Sequence, residues 1–421
     1  MVCSLKYGHE GTVELAPPAG SWIVDNTSQE ITSLTDISAA VDAALQKPID
    51  FPGLEMMVLP DDEVAIVLEP GLACAAELVA GTIATLKRVG VPPELMRVVR
   101  AKTDGALSDQ KLFAKLDKEL ADRIEVIRHD PTNREDLSFL GASKGDHSVY
   151  INRTICDAAV VIPIGSHQSH DRVGCLGVHH SWFPTFADED TQKRFAESMA
   201  SRSKKKIEKC ISECEEAAWM LGVQLLLQLV PAGNDRALEI LAGTPQAVWQ
   251  RGHEIAAGAW RMNVDRRASL VVAAIGGGPE QQTWENVVRT IDTALEVVET
   301  DGAIAVCCEL KTKPGPALRR LAGAEDFEAA DRAIQKKPSD DTLAASRLNR
   351  ALQRARVYLL SKLDENDVED LGMAFVSCPS EIAKLSSRHE SCLALQNAQH
   401  VSVTLDAMDE EEIAEETEAD A

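Results

Sequence analysis

Four of the ten histidines of this 421-residue chain, His167, His170, His179 and His180, fall within fourteen residues. They lie in Ile164-Gly165-Ser166-His167-Gln168-Ser169-His170-Asp171-Arg172-Val173-Gly174-Cys175-Leu176-Gly177-Val178-His179-His180, directly after the apolar run Ala158–Ile164. Neutral imidazole is both a metal ligand and a proton carrier near neutral pH, so such a cluster suits either chemistry. Gly174 and Gly177 allow close backbone approach or unusual dihedrals between the two histidine pairs. The spacing matches no structural-zinc pattern. The competing reading is a polar loop whose histidines only solvate or cap. Cys175, among them, is read as a plain thiol.

Two other stretches carry less. Gly276-Gly277-Gly278-Pro279 marks a strand-to-helix turn, where free N–H groups can bind an anion. It is not a dinucleotide fingerprint, Pro279 removes one donor, and a tight turn explains it equally well. Lys204-Lys205-Lys206 reads as a solvated helix face rather than a phosphate site.

Positioning these residues requires a scaffold, and the chain alternates in the manner of one. Glu63–Leu68, Leu95–Arg100, Ala158–Ile164, Leu225–Val230, Leu270–Ile275 and Ala303–Cys308 are short apolar runs of the kind buried in parallel sheets. Ala73–Val89, Leu107–Leu120, Arg194–Leu221, Pro245–Trp260 and Trp284–Val298 read as helices between them. The pattern predicts an α/β protein of two doubly wound domains with mainly parallel sheets. Ligands in such sheets bind beyond the carboxyl ends of the strands, which is where the histidine loop begins. A polar break at Asn263–Arg267 places the domain boundary, giving an N-terminal domain over 1–262 and a C-terminal one over 263–405. Residues 406–421 hold nine carboxylates and no Lys or Arg and read as a solvated acidic tail.

Composition narrows the function classes. The net charge is -24, and about -15 without the tail, which argues against broad electrostatic binding of nucleic acid. Aromatic residues are 4%, too few for a base-stacking platform. No run reaches the roughly 18–20 apolar residues of a membrane helix, and the start of the chain lacks a secretory pattern. Ten scattered cysteines without a CxxC pair suggest reduced thiols and a cytoplasmic protein.

The stretch Phe139-Leu140-Gly141-Ala142-Ser143-Lys144-Gly145, then Val149-Tyr150-Ile151-Asn152-Arg153 and Asp157–Gly165, resembles the nickel-pincer lactate racemase family. Gly277-Gly278-Pro279 with Asn286, Arg289 and Asp292 is similar to that family's second-domain motif, and the resemblance runs from about Tyr7 to Leu405. It implies a racemase or epimerase acting on a small 2-hydroxy acid, with a nickel-pincer nucleotide as hydride acceptor and histidines moving the hydroxyl proton. His170 matches the loop proton carrier, and Asp104 stands where the second proton-transfer histidine is expected. Arg289 and Asn286 stand where the family has a lysine and a glutamine, and both can still bind a carboxylate, which an Arg fork suits.

The departures concern the cofactor. His180 occupies the position of the pincer-anchoring lysine, with Gly177 in the glycine pair before it, and imidazole cannot form that linkage. The nickel-ligand histidine falls near Ala196. The phosphate-contacting segment corresponds to Leu68–Cys74, which lacks the family's polar pattern.

The resulting expectation is a lactate-racemase-like isomerase with altered or lost pincer anchoring and a small carboxylic acid as its partner. Two alternatives stay open. One is a metal-dependent enzyme of another class that uses the His167–His180 loop, with His167 and His179 as ligands of a divalent metal. The other is a non-catalytic member that binds a small acid or a protein.

Overall fold

Among the described residues, runs of β-branched and aliphatic residues build two six-stranded sheets, with three two-stranded ones beside them. The computed structural model describes residues 3–27, 31–102, 107–168, 176–201, 203–322 and 326–405. The strands are, in chain order, β1 (Cys3–Tyr7), β2 (Gly11–Leu15), β3 (Trp22–Asp25), β4 (Val64–Leu68), β5 (Met96–Ala101), β6 (Glu125–His129), β7 (Leu137–Ala142), β8 (Ser148–Asn152), β9 (Val160–Ser166), β10 (Leu226–Gly233), β11 (Arg236–Gly243), β12 (Arg261–Val264), β13 (Ala268–Ala274), β14 (Val298–Cys307), β15 (Arg356–Leu360), β16 (Ala374–Val376), β17 (Ser391–Gln396) and β18 (Ser402–Leu405). They divide between two compact units, Ile31–Ala256 and Met1–Glu30 with Ala257–Ala421.

The sheet of the first unit runs β11-β10-β9-β4-β5-β6. It is parallel except where β11 closes back on β10. All five residues of β4, Val-Ala-Ile-Val-Leu, are buried, as expected of a central strand covered on both faces. Leu78, Val79, Ile83 and Leu86 of the helix Ala75–Arg88 join Val64, Ile66 and Leu68 in the core. At Gly81 an added Cβ would stand 2.8 Å from the Val41 Cβ and 2.9 Å from the Ser38 carbonyl. Glycine there lets the helices Ile37–Gln46 and Ala75–Arg88 touch.

The sheet of the second unit runs β16-β15-β14-β13-β17-β3 and is parallel throughout. The β1–β2 hairpin places Leu5, Val13 and Leu15 in one core cluster with Leu270, Val272 and Ala305. In both sheets successive strands run outward from a central strand (β4 or β13) and a later strand (β9 or β17) returns to its other side. The α/β, mainly parallel, doubly wound architecture expected from the alternation is what the chain adopts.

Three details differ from the sequence reading. The strand β3 pairs with β17, so the first thirty residues join the C-terminal unit, and the junction falls inside the helix Pro245–Trp260. Leu107–Leu120 is two single turns, Asp109–Leu112 and Lys118–Ala121, each starting at its own side-chain cap, Ser108 and Asp117. Arg194–Leu221 belongs to two helices, Glu189–Ala200 and Lys204–Leu221, the second capped by Ser203. Asp104, His170, Gly174, Cys175 and the acidic tail 406–421 lie outside the described residues. Among those residues no helix is long and apolar enough to cross a membrane.

Candidate functional site

The strand order reverses between β9 and β4, and open α/β sheets bind ligands beyond the carboxyl ends of the strands at such a point. Register puts Leu68, the last residue of β4, beside Ile164 of β9. The next residue of each chain segment therefore turns into the same space. Glu69 does so from β4, and Gly165, Ser166 and His167 do so from β9.

Glu69 is the hub. Its Oε2 accepts from the Ser166 backbone N–H at 2.6 Å, and its Oε1 accepts from Gln168 Nε2 at 3.2 Å. Its Oε1 also faces His180 Nε2 at 3.4 Å, with side-chain exposures of 12% for Glu69 and 5% for His180. Gly165 makes this approach possible. A Cβ there would stand 2.4 Å from Ser181 Cβ and 2.8 Å from Glu69 Oε2.

His180 is held from behind, its Nδ1 donating to the Gly177 carbonyl at 2.8 Å. Gly177 has φ +80, a left-handed turn that glycine adopts freely, and this turn aims its carbonyl at the ring. The segment beyond is pinned by packing and by backbone contacts. Trp182, Phe183 and Phe186 are fully buried. Asn152 N–H donates to Phe186 O at 2.9 Å, and His129 Nε2 donates to Ala187 O at 2.9 Å. Burial holds the His129 imidazole below its ordinary pKa, in keeping with a neutral ring that donates from Nε2.

His167 packs on the same indole as His180. Trp249, from the helix Pro245–Trp260, lies 5.0 Å from the His167 ring and 5.9 Å from the His180 ring, centroid to centroid. His167 Nδ1 meets Gln228 Oε1, from β10, at 3.2 Å, and the His253 ring is 6.3 Å away. His179 turns elsewhere, its ring edge-on to Trp182 at 6.3 Å. It is buried, its Nδ1 makes no hydrogen bond, and burial together with the neighbouring His180 pushes its pKa down to about 4. Four consecutive residues thus carry buried polar atoms without a hydrogen-bond partner: His179 Nδ1, His180 Nε2, Ser181 Oγ and Trp182 Nε1. Buried polar groups are normally satisfied, so a run of four is unusual.

The expected residues are thereby sorted. His167, His180 and Gly177 come together around Glu69 and Trp249, and His179 lies beside them facing Trp182. Among the described residues no group of three or more His, Cys, Asp or Glu side chains could hold a metal ion. Arg289 and Asn286 belong to the other unit, on the helix Trp284–Leu295. Arg289 Nη1 donates to Asn286 Oδ1 at 3.3 Å, and Asn286 Nδ2 donates to Gln281 O at 2.8 Å. The glycine turn at 276–278 lies at that unit's own switch point, where its carbonyls accept from Gln399 and Gln282 at 2.9 Å each. Glu69, Gln228 and Trp249 were missed by the sequence reading. The rule that a doubly wound sheet binds at its switch point would have singled out Glu69, as the first residue after the central strand.

These residues do not fit a lysine-anchored pincer nucleotide. The anchoring position is a buried imidazole whose two nitrogens face a carbonyl and a carboxylate. The helix Glu189–Ala200 has Ala196 where the nickel-binding imidazole is expected.

Comparison with known proteins bears on the fold. Residues 7–207 match the family model described as the lactate racemase N-terminal domain. The structure of the lactate racemase apoprotein from Thermoanaerobacterium thermosaccharolyticum is similar over 96% of this chain and 100% of its own, at 17% identity and a TM-score of 0.78. A crystal structure of a protein from Thermotoga maritima is similar over 89% of this chain and 99% of its own, at 13% identity and a TM-score of 0.62. The sequences of curated proteins contain no match. Residues 7–207 are thus similar to the lactate racemase N-terminal domain, and nearly the whole chain has the fold of the lactate racemase apoprotein.

Proposed function

We propose that this protein recognises a small 2-hydroxy acid at the β4–β9 switch point and acts on it as a racemase or epimerase without a lysine-linked cofactor. The observation that carries the reading is the meeting of Glu69 and His180 at 3.4 Å beside a run of unpartnered buried polar atoms. A hydroxyl can donate to one of these groups and accept from another, so it suits the recess better than an apolar group. His170 and Asp104, by their likeness to the family's proton carriers, take up and return the hydroxyl proton. Arg289 and Asn286 of the other unit, which stand where the family has a lysine and a glutamine, remain proposed substrate-binding residues by that resemblance. Inverting carbon 2 by hydride removal and return needs an acceptor, which a noncovalently bound hydride-accepting cofactor of the pincer-nucleotide class would supply, while the side chains named here carry the hydroxyl proton.

Incubation with single enantiomers of lactate and other short 2-hydroxy acids, followed by chiral chromatography, tests the reading. The wild type, supplied with such a hydride-accepting cofactor, is expected to produce the opposite enantiomer of at least one acid. His170→Ala is expected to slow this by about 10²–10⁴-fold, the usual contribution of a general acid–base group, with an unchanged melting temperature. A wild type that converts none of the acids contradicts the reading.

A further inference from the structure

We propose that Ser269, with His389 as its base, is a nucleophile that hydrolyses small carboxylic esters at the amino ends of β13 and β17, in the second unit. The site shares no residue with the Glu69–His180 pair and is independent of the preceding reading.

Local strand pairing sets this serine apart. Ala268 stands opposite Val298 of β14, but Leu270 stands opposite Ala303, so four residues, Glu299 to Gly302, face Ser269 alone. Asp301, at φ +60, turns the chain within this bulge. Bulges are over-represented next to active sites, where they re-aim a side chain. Here that side chain is Glu299, which reaches past β13 so that its Oε1 accepts from Ser391 Oγ of β17 at 3.4 Å. Ser391 Oγ in turn accepts from the Ser269 N–H at 2.8 Å and lies 3.1 Å from Ser269 Oγ. His389, two residues before Ser391, sets its Nδ1 3.1 Å from Ser269 Oγ. The hydroxyl proton of Ser269 therefore has two acceptors within reach, this nitrogen and the Ser391 carbonyl at 3.0 Å. Ser269, His389 and Ser391 are half-buried and Glu299 is exposed, so the cluster is open to solutes.

A serine hydroxyl is a weak nucleophile until an adjacent base takes its proton, and the His389 contact is within hydrogen-bond reach. Burial holds the His389 imidazole below its ordinary pKa, with Glu299 acting in the opposite sense, so the ring is the free base at neutral pH. Attack by Ser269 Oγ on an ester carbonyl carbon forms the new C–O bond as the hydroxyl proton passes to His389 Nδ1. The carbonyl electron pair moves onto its oxygen, where the neighbouring Ser391 hydroxyl can donate to it. The bond to the alcohol oxygen then breaks, and the alcohol leaves with the proton from Nδ1. Water repeats the sequence on the acyl-serine, releasing the acid and restoring both residues. The balance is ester plus water to acid plus alcohol. The Glu299 carboxylate meets the positive charge that the imidazole carries in between.

The test uses the full chain with p-nitrophenyl acetate and, separately, with a fluorophosphonate. The wild type is expected to release p-nitrophenol over many turnovers and to take up one phosphonyl group, which peptide mass spectrometry places on Ser269. Ser269→Ala is expected to lose both the label and the turnover. His389→Ala is expected to slow turnover by about 10²–10⁴-fold, the usual contribution of a general base. His147→Ala, at an exposed imidazole, controls for ester cleavage by surface histidines and is expected to match the wild type. Melting temperatures confirm that the variants are folded, and labelling of the wild type depends on no variant. A wild type that takes up no phosphonyl group on Ser269 overturns the inference, as does ester hydrolysis that survives Ser269→Ala undiminished. Either result leaves the four residues as a polar stitch between β13, β14 and β17.

Discussion

Acidification from pH 7.5 to pH 4.5 is expected to cost the wild type about 2–3 kcal/mol more stability than it costs His179→Leu. His179 is 7% exposed, and burial together with the neighbouring His180 lowers its pKa from 6.5 to about 4. Between those two values the unfolded chain holds a proton on this ring that the folded chain does not. Stability therefore falls as pH drops from 6.5 towards 4, and above 6.5 the effect is absent. Other groups titrate in the same range, so the measured quantity is the difference between the two proteins in urea midpoints at the two pH values. Parallel losses would show that His179 is already protonated, or already solvated, in the folded protein.

Two glycines on one helix are expected to respond in opposite directions to the same substitution. Alanine is preferred to glycine inside a helix by about 1 kcal/mol. At Gly258 an added Cβ meets nothing within 4 Å, so Gly258→Ala is expected to stabilise the protein by about 0.5–1 kcal/mol. At Gly252 the Cβ would stand 2.6 Å from His167 Nδ1 and 2.7 Å from Gln228 Oε1. It would wedge into the contact that orients His167, and neither the ring nor the carboxamide has free space to retreat into, since both residues are buried. Overpacking costs about 1–3 kcal/mol, and a broken buried hydrogen bond adds about 1. Gly252→Ala is thus expected to lose about 1–3 kcal/mol net, as read from denaturant melts. If both variants gain stability, the close packing of this helix on His167 is wrong.

The legible parts of the fold were those whose burial is written locally. Val64–Leu68, Ala158–Ile164 and Leu270–Ile275 are continuous apolar runs, and each lies in or overlaps a central strand of a sheet. What local pattern does not carry is partnership over long separations. Trp22–Asp25 is a weak run of four half-buried residues, and its place at the edge of the second sheet is set by pairing with Ser391–Gln396. The latter, built on Cys, Leu and Ala, has little β-branched character to announce it.

The candidate site divides in the same way. His167, Gly177, His179 and His180 were visible as a cluster because they are close in sequence. Glu69 was not, because read along the chain it is one carboxylate in an otherwise apolar segment, Leu68–Cys74. Its importance comes from β4 lying beside β9, which brings it to a histidine more than a hundred residues away. Gln228 and Trp249 were hidden for the same reason, each being an ordinary residue of its strand or helix until the fold sets it against His167.

Calorimetric titration of D-lactate and of L-lactate into the purified wild type, Glu69→Gln and His180→Ala tests the central claim most directly. Saturable binding of one acid per chain is expected in the wild type, weakened at least tenfold in each variant, with melting temperatures confirming that all three are folded. Absence of binding in the wild type, or equal affinity in all three proteins, would contradict the assignment of the Glu69–His180 pair as the site of a 2-hydroxy acid.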